Sequence, residues 1–171
     1  TERKRFSTNR KVLVEELKKQ YAGVEQNDAV GKNIELLLSE NTFTITTAHQ
    51  PNIFTGPLYF VYKILHAIKL SEHCKDSLPQ YNFVPVFYMG SEDADLEELG
   101  TFFLGGEKLV WETDQTGAVG RMHVKGLEKL LFRIEGELGI HPFGKDLMKI
   151  LRDAYKSGDN IQTATLKLVH S

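Results

Sequence analysis

The sequence is poor in cysteine, which limits the environments in which the protein is expected. Cys74 is the one cysteine among 171 residues, so an intrachain disulfide framework is excluded. Such a chain fits a reducing compartment, and we expect the protein to be cytoplasmic. Charged residues 1–6 have no apolar segment behind them, so no secretory signal is indicated.

The sequence also lacks a long hydrophobic run and a charge excess of either sign. Its longest strongly apolar stretch, Pro57–Leu70, is interrupted by Lys63, His66 and Lys69. That stretch is shorter than the roughly 20 apolar residues of a membrane span, so no membrane partner is expected. With 21 basic and 23 acidic residues the net charge is −2, which gives no positive field for nucleic acid.

Several motifs that identify enzyme classes are missing. No G-x-G-x-x-G follows the first predicted strand, so a nicotinamide or flavin dehydrogenase is not supported. No phosphate loop G-x-x-x-x-G-K-[ST] and no nucleophile elbow G-x-S-x-G occur. His66, His73 and Cys74 lie on one predicted helix without C-x-x-C or H-E-x-x-H spacing, so no metal site is expected.

What is present is the composition of one ordinary globular domain, 41% hydrophobic and 26% charged. Alternating β-branched residues predict a strand at Thr42–Thr47, and a continuous apolar run predicts a second strand at 83–89, buried on both faces. Between them lies a helix for which Thr55 is the predicted cap and Pro57 the first residue. Its predicted buried stripe is Leu58, Val61, Ile64, Leu65 and Ile68.

This strand-loop-helix unit over 42–73, followed by the strand at 83–89, predicts a parallel βαβ unit with a right-handed crossover. The fold class is therefore α/β, with a mostly parallel sheet flanked by helices. We interpret residues 1–171 as the N-terminal portion of such a domain, an incomplete core of a longer chain.

The flanking segments are predicted from periodicity and capping signals. A helix at Arg10–Tyr21 has Ser7 or Asn9 as its cap, with apolar positions at Val12, Leu13, Leu17 and Tyr21. Further predictions are a third strand at Lys108–Trp111, helices at 124–138 and 144–156, and an amphipathic segment from Asn160.

Polar clusters follow both strands of the predicted βαβ unit, at the sheet edge where ligands bind in open parallel sheets. After the first strand, His49, Thr55 and Gly56 precede a helix N-terminus, whose free N–H groups attract a phosphate or carboxylate. Lys63 lies about two turns further along that helix. The alternative is an ordinary helix entry, in which the prolines and glycine only shape the turn.

Five carboxylates follow the second strand: Glu92, Asp93, Asp95, Glu97 and Glu98. They either complement a helix N-terminus or bind a substrate ammonium and take a proton from an amine. Asp93 and Asp95 lie nearest the strand end and are the preferred candidates. A third segment, Gly117–Met122, either forms a plain turn or presents Arg121 to a carboxylate or phosphate.

Three ordered segments resemble the motifs of the bacillithiol-biosynthesis cysteine-adding enzymes. The first is Thr46–Lys63, TTAHQPNIFTGPLYFVYK, and the second is Val84–Glu98, VPVFYMGSEDADLEE. The third is Gly117–Met122, GAVGRM. The family is typified by T-G-H/Q-Q, F-T-G-P-L-Y and Y-K in the first segment, V-P-V-F-W-M-A-[ST]-E-D-H-D-F-E-E in the second, and G-x-V-G-R-M in the third.

The resemblance implies a Rossmann-like fold related to class I aminoacyl-tRNA synthetases, in a longer protein with a C-terminal coiled coil. It implies a ligase that joins the carboxyl group of cysteine to the amine of glucosaminyl-malate. The implied catalytic residues are His49, Asp93 and Asp95. The implied substrate-binding residues are Gln50, Asn52, Thr55, Gly56, Tyr59, Lys63, Ser91, Glu92 and Arg121.

The cofactor is unknown at this stage. ATP is a hypothesis, because His49–Asn52 matches the synthetase motif H-x-G-H only as H-x-x-N and no phosphate loop supports a nucleotide. The expected partners are small-molecule substrates, and association of the chain with itself stays open.

Two positions differ from the family pattern, since Ala48 replaces a glycine and Ala94 replaces a histidine. These differences leave two alternatives open. One is a catalytically inactive small-molecule-binding or assembly domain with a nucleotidyltransferase-like fold. The other is a nucleotide-binding transferase that uses a different acceptor.

Overall fold

The computed structural model describes residues 2–24 and 28–171, and these residues form two compact units. The first unit contains the described residues up to Thr47 together with Lys63–Phe87. The second contains Ala48–Tyr62 and Tyr88–Ser171. None of the helices in the described ranges is both long and apolar enough to cross a membrane.

The first unit contains most of a parallel pair of strands, β1 (Thr42–His49) and β2 (Asn82–Met89), which form a two-stranded sheet; the last two residues of each strand belong to the second unit. Helix α3 (Tyr59–Ser77) connects them, as the βαβ prediction requires. Helices α1 (Arg10–Tyr21) and α2 (Asp28–Leu36) precede the sheet. A small apolar core joins α1, the end of α2 and β2, and consists of Val14, Ile34, Leu37 and Val84.

Helix α1 has the predicted bounds and the predicted cap, because Asn9 Oδ1 accepts a hydrogen bond from the N–H of Val12. The predicted apolar face is wrong in part. Val14 is the buried residue, whereas Val12 and Leu13 are exposed. The short core of this unit covers one narrow side of α1, so only the residues on that side are removed from water.

Helix α3 begins two residues later than predicted, and Thr55 does not cap it. Phe54 and Thr55 have φ of 49° and 73°, and the chain makes a 3-10 turn over Ile53–Thr55 before the helix starts at Tyr59. A cap needs extended backbone at its own position, and the left-handed conformation of Thr55 excludes it.

The predicted buried stripe of α3 is also wrong. Phe60, Ala67 and Ser71 are the buried residues of this helix. The exposed apolar residues of the predicted stripe are Leu58, Val61, Leu65 and Ile68. The buried Ser71 hydroxyl is satisfied by donating to the Ala67 carbonyl at 2.8 Å.

Strand β2 coincides with the predicted apolar run, but its burial on both faces is not found. Val84 is buried, most of the other residues are half-buried, and Tyr88 is 66% exposed. The sheet of the described chain contains β1 and β2 alone, so one edge of β2 has no neighbouring strand. Pro85, which lacks a backbone donor, is compatible with that edge position.

The second unit contains an antiparallel hairpin and four helices. Short helix α4 (Leu96–Leu99) leads into strands β3 (Thr101–Leu104) and β4 (Glu107–Val110). The predicted strand at Lys108–Trp111 therefore belongs to a hairpin with β3, not to the parallel sheet. The turn at Gly105–Gly106, with positive φ at both glycines, supports this pairing.

Helices α5 (Glu128–Leu138), α6 (Gly144–Ala154) and α7 (Ile161–His170) complete this unit. Helix α5 begins four residues later than predicted because the chain turns at Gly126, where φ is 90°. Asn160 caps α7 by accepting from the N–H of Thr163 at 2.8 Å. The unit's apolar core includes the following fully or nearly fully buried residues: Ile53, Leu99, Trp111, Val119, Leu127, Ile161 and Ala164.

Candidate functional site

A cleft of about 480 Å³ lies at the carboxyl ends of β1 and β2. Its lining consists entirely of residues from the second unit: Ala48, His49, Gln50, Tyr88, Met89, Gly90, Ser91, Glu92 and Asp93. The two polar loops that the sequence placed after successive parallel strands therefore share one cleft. This is the edge at which open parallel sheets bind ligands.

His49 is the last residue of β1, and its backbone carbonyl and both ring nitrogens have hydrogen-bond partners. Its backbone carbonyl accepts a hydrogen bond from the N–H of Gly90 at 3.0 Å, which joins the two strand ends. Its ring Nδ1 lies 3.0 Å from the Gln50 carbonyl oxygen, and Nε2 lies 3.1 Å from the Tyr59 hydroxyl. A carbonyl only accepts, so the neutral ring carries its proton on Nδ1, and Nε2 accepts from Tyr59.

His49 is 8% exposed, and its imidazole packs against the first turn of α3. Its ring centroid lies 5.2 Å from that of Tyr59 and 5.5 Å from that of Phe60. The positive end of the α3 dipole therefore lies next to this ring. The packing fixes the position of the ring relative to the cleft.

Asp93 and Gln50 connect the two loops that line the cleft. The Gln50 Nε2 amide donates to Asp93 Oδ2 at 3.1 Å, and the N–H of Asp95 donates to Asp93 Oδ1 at 2.9 Å. The Asp95 N–H, followed by the Gln50 amide, holds the pKa of Asp93 below its ordinary value. Asp93 is consequently a carboxylate at neutral pH.

Asp95 has a different position. Its Oδ1 accepts a hydrogen bond from the N–H of Glu98 at 3.0 Å and caps α4. Glu97 and Glu98 lie in the first turn of the same helix. The carboxylate of Asp95 does not line the cleft. The arrangement favours the helix-entry alternative for these three acidic residues, whereas Glu92 and Asp93 line the cleft.

The third motif segment packs against the loop that carries Asp93. The N–H of Val119 donates to the Asp93 carbonyl at 2.8 Å, and a Cβ added at Gly120 would lie 2.6 Å from the Ser91 carbonyl oxygen. Arg121 Nη2 contacts Glu92 Oε2 at 2.6 Å, with both side chains about 70% exposed. Glycine at 120 thus lets this segment approach closely enough for Arg121 to reach the rim.

Three other predicted site residues, Asn52, Thr55 and Gly56, do not line the cleft. Asn52 is 2% exposed, and its Oδ1 is buried without a hydrogen-bond partner among the described residues. Gly56 has φ of 57°, and a Cβ there would lie 2.6 Å from Asn52 Cβ. Thr55 follows Phe54 in the left-handed 3-10 turn. Lys63 belongs to the first unit.

Sequence reasoning missed Tyr88, Met89 and Gly90 as lining residues. All three stand in the quoted second motif, at the carboxyl end of β2. The exposure of Tyr88 indicates its position, but a continuous apolar run does not reveal which of its residues face solvent. Within the described ranges, no group of three or more His, Cys, Asp or Glu residues could hold a metal ion.

A parallel strand pair joined through a helix, with a polar cleft at the strand ends, defines an α/β domain of Rossmann-like type. Comparison with protein families places the domain more closely. The model described as "Bacillithiol biosynthesis BshC, N-terminal Rossmann-like domain" matches residues 1–171, and the chain belongs to this family.

Relatives from three bacteria carry the name "Putative cysteine ligase BshC". The protein of Flavobacterium johnsoniae is 47% identical over 163 residues, covering 95% of this chain and 31% of the relative. The protein of Flavobacterium psychrophilum is 46% identical over 156 residues, 91% of this chain and 29% of the relative. The protein of Cytophaga hutchinsonii is 46% identical over 162 residues, which cover 95% of this chain and 29% of the relative. The chain thus spans about 30% of the length of these relatives.

Proposed function

We propose that this domain carries the amide-forming centre of a cysteine ligase in bacillithiol biosynthesis. The reaction joins the carboxyl group of cysteine to the amine of glucosaminyl-malate. The observation that carries the proposal is the meeting of His49 and Asp93 in one cleft, with Gln50 between them and bonded to both loops. The names of the relatives support the same reaction class.

Amide formation requires an activated carboxyl group and a neutral amine. The amine nitrogen attacks the carbonyl carbon, the group that activates the carboxylate leaves, and the nitrogen loses a proton. Negative charge develops on the carbonyl oxygen during attack, and oriented donors stabilise it. The first turn of α3, next to His49, supplies such positive potential.

The lowered pKa of Asp93 assigns this residue a binding role. A carboxylate whose pKa lies below the ordinary range is a weak base at neutral pH, so it takes a proton from an amine poorly. The same carboxylate attracts an ammonium group strongly. We therefore assign Asp93 to the ammonium group of cysteine. We assign His49 Nε2 to the proton of the attacking amine, which requires that the Tyr59 hydroxyl give up its hydrogen bond to this nitrogen.

The rim of the cleft suits the acidic part of the second substrate. Arg121 presents a planar fork of N–H donors, which matches a carboxylate in two parallel hydrogen bonds. Its present partner, Glu92, is as exposed as Arg121 itself, so a substrate carboxylate can replace it at low cost. We assign Arg121 to the malate carboxylates.

The reaction is tested in a strain from which the gene has been deleted. Extracts are assayed for the cysteine-containing thiol and for its cysteine-free precursor. Loss of the thiol with accumulation of the precursor is expected, together with restoration by the wild-type gene. Normal thiol content in the deletion strain would show that the protein does not catalyse this step.

A nucleotide is tested separately by titrating the protein with ATP and following the amide signals of His49 and Gln50. Shifts at these residues support activation of the carboxyl group within this cleft. Unchanged signals at saturating ATP count against a nucleotide here.

The replacement at Ala94 favours a second candidate, a domain that binds these substrates without joining them. Ala94 is exposed next to Asp93, where the motif as quoted above has histidine, so an acid–base group is absent from this loop. Calorimetric binding of cysteine and glucosaminyl-malate, with no amide formed by the protein, would establish this candidate. Formation of the amide would exclude it.

A further inference from the structure

Tyr155 contacts the turn at Phe54, which follows β1. Tyr155 itself lies outside the three motif segments, so the motifs do not predict this contact. Its hydroxyl oxygen accepts a hydrogen bond from the N–H of Phe54 at 2.7 Å, across 101 residues of sequence. The two rings also pack together, with centroids 4.7 Å apart. Phe102 adds an edge-to-face contact with Phe54 at 5.2 Å. Phe54 is thus held from both its backbone and its ring.

The turn that Tyr155 contacts has an unfavourable backbone conformation. Phe54, Thr55 and Gly56 have φ of 49°, 73° and 57°, so three successive residues are left-handed. Only glycine adopts this region freely, and a β-branched residue such as Thr55 is a marked exception. Such a conformation persists where surrounding contacts enforce it. The hydrogen bond from Phe54 to Tyr155 is one such contact.

The hydroxyl of Tyr155 is suited to this role because it is buried and has defined partners. Burial raises the pKa of Tyr155, so the hydroxyl stays protonated. It also hydrogen-bonds with Thr165, whose own hydroxyl donates to the Ile161 carbonyl at 2.8 Å. Thr165 therefore accepts from Tyr155, and Tyr155 accepts from Phe54. Each donor in this buried series of hydrogen bonds therefore has an acceptor.

A short segment connects the turn to the cleft. Ile53 is fully buried next to Phe54, and the N–H of Asn52 donates to the Gln50 carbonyl at 3.0 Å. Gln50 in turn contacts Asp93 through its amide and His49 through its carbonyl oxygen. A shift of the turn therefore moves the residue that joins the two sides of the cleft.

We infer that Tyr155 is a positioning residue of the cleft, which holds the turn at Phe54 and thereby the Gln50 amide against Asp93. The expected effect of Tyr155 on cysteine binding rests on the proposed function. The positioning of the Phe54 turn, and of Gln50 against Asp93, does not depend on which reaction the protein catalyses.

Tyr155→Phe tests the inference because it keeps the ring and removes the acceptor. Tyr81→Phe is the matched control, since Tyr81 lies in the first unit and packs against Phe43 through its ring. In Tyr155→Phe we expect the Phe54 amide to exchange with solvent about tenfold faster or more. The carbon NMR titration of Asp93 should show a pKa closer to the ordinary value. Tyr81→Phe should leave both unchanged.

The kinetic consequence is measured on the protein that forms the amide. With Asp93 assigned to the ammonium group of cysteine, Tyr155→Phe should raise KM for cysteine about tenfold and change kcat by less than about threefold. Thr165→Val removes the acceptor of the Tyr155 proton and should act in the same direction. Thr165→Ser retains that acceptor and should behave as the wild type, which separates positioning from a general loss of packing.

Each outcome supports or contradicts one step. Unchanged exchange at Phe54 in Tyr155→Phe would show that the hydroxyl does not hold the turn. Faster exchange with an unchanged Asp93 pKa would show that the turn does not position Gln50. If Tyr155→Phe fails to fold, Thr165→Val gives the same two readings. A wild-type protein that forms no amide would contradict the proposed function alone, because the exchange and titration readings do not depend on it.

Discussion

The amide of Gln50 donates a hydrogen bond to the carboxylate of Asp93, so the residue that follows β1 holds the acid that follows β2. Parallel strands bring their carboxyl ends to one edge of the sheet, and this contact joins the loops that leave that edge. Two sequence segments 43 residues apart thus form one cleft. The cleft's charge and geometry both depend on this pair.

Gln50→Ala should raise the pKa of Asp93 without restoring its ordinary value. The variant removes the second cause of the lowered pKa and leaves the first, the Asp95 N–H. A carboxyl group with a lowered folded-state pKa stabilises the fold above its unfolded pKa of about 3.9, and this stabilisation is lost as the pH falls through the folded value. Thermal unfolding between about pH 2 and pH 6 should show a smaller total fall of Tm for Gln50→Ala than for the wild type, because the folded-state pKa of Asp93 in the variant lies closer to the unfolded value.

Asp93→Asn and Asp95→Asn should differ in their effect on the reaction. The asparagine at 95 still caps α4, because its amide oxygen accepts from the Glu98 N–H, so activity and Tm should stay near the wild-type values. Of the two carboxylates that line the cleft, the asparagine at 93 removes the one that is not paired with Arg121, and KM for cysteine should rise by about tenfold or more. Steady-state kinetics of both variants measure the difference. Equal losses would contradict the separate roles given to the two aspartates.

His49→Gln is the informative substitution at the imidazole. His49 is buried against Tyr59 and Phe60, so alanine would leave a cavity and lower stability along with activity. Glutamine fills more of this space and cannot act as a base near neutral pH. We expect His49→Gln to lose amide formation by about a hundredfold or more while the protein still folds, with a small change in Tm. Retained activity in His49→Gln would remove His49 from the reaction.

Gly120→Ala should damage the cleft through packing. The added methyl group would lie 2.6 Å from the Ser91 carbonyl oxygen, so the loop carrying Glu92 and Asp93 must move. Such overpacking costs about 1–3 kcal/mol of unfolding free energy. Denaturant unfolding measures this loss, and kinetics should show reduced kcat/KM.

The matched control is Gly136→Ala. Gly136 lies on the exposed side of α5 with no heavy atom within 4 Å of the added methyl group. Alanine there should stabilise the domain by about 0.5–1 kcal/mol, since glycine is costly inside a helix. A Gly120→Ala variant as stable and active as Gly136→Ala would show that the contact with Ser91 does not constrain the cleft.

The sequence predicted the elements whose signals are local. The strands at β1 and β2 and the helix between them follow from alternation and apolar runs, and Asn9 is one of the two caps predicted for α1. It also predicted that the loops after both strands share one edge, because parallel pairing through a helix leaves little choice of topology. The cleft around His49 and Asp93 confirms that prediction.

The start of α3 and its buried face could not be predicted in the same way. Pro57 and Thr55 are favourable helix-start residues, yet a left-handed turn at Phe54 displaces the start to Tyr59. That turn is held by Tyr155, which lies about a hundred residues away. Helix propensity depends on neighbouring residues, so it does not reflect a contact between residues this far apart in sequence.

Local chemistry therefore determined the βαβ order, the caps and the family of this chain, because each depends on residues close together in sequence. Tertiary structure alone decided which of the acidic residues line the cleft, which face of α3 is buried, and that Phe54 adopts a left-handed conformation. The physical reason is that burial and hydrogen bonding with distant partners outweigh the small differences in propensity between neighbouring residues.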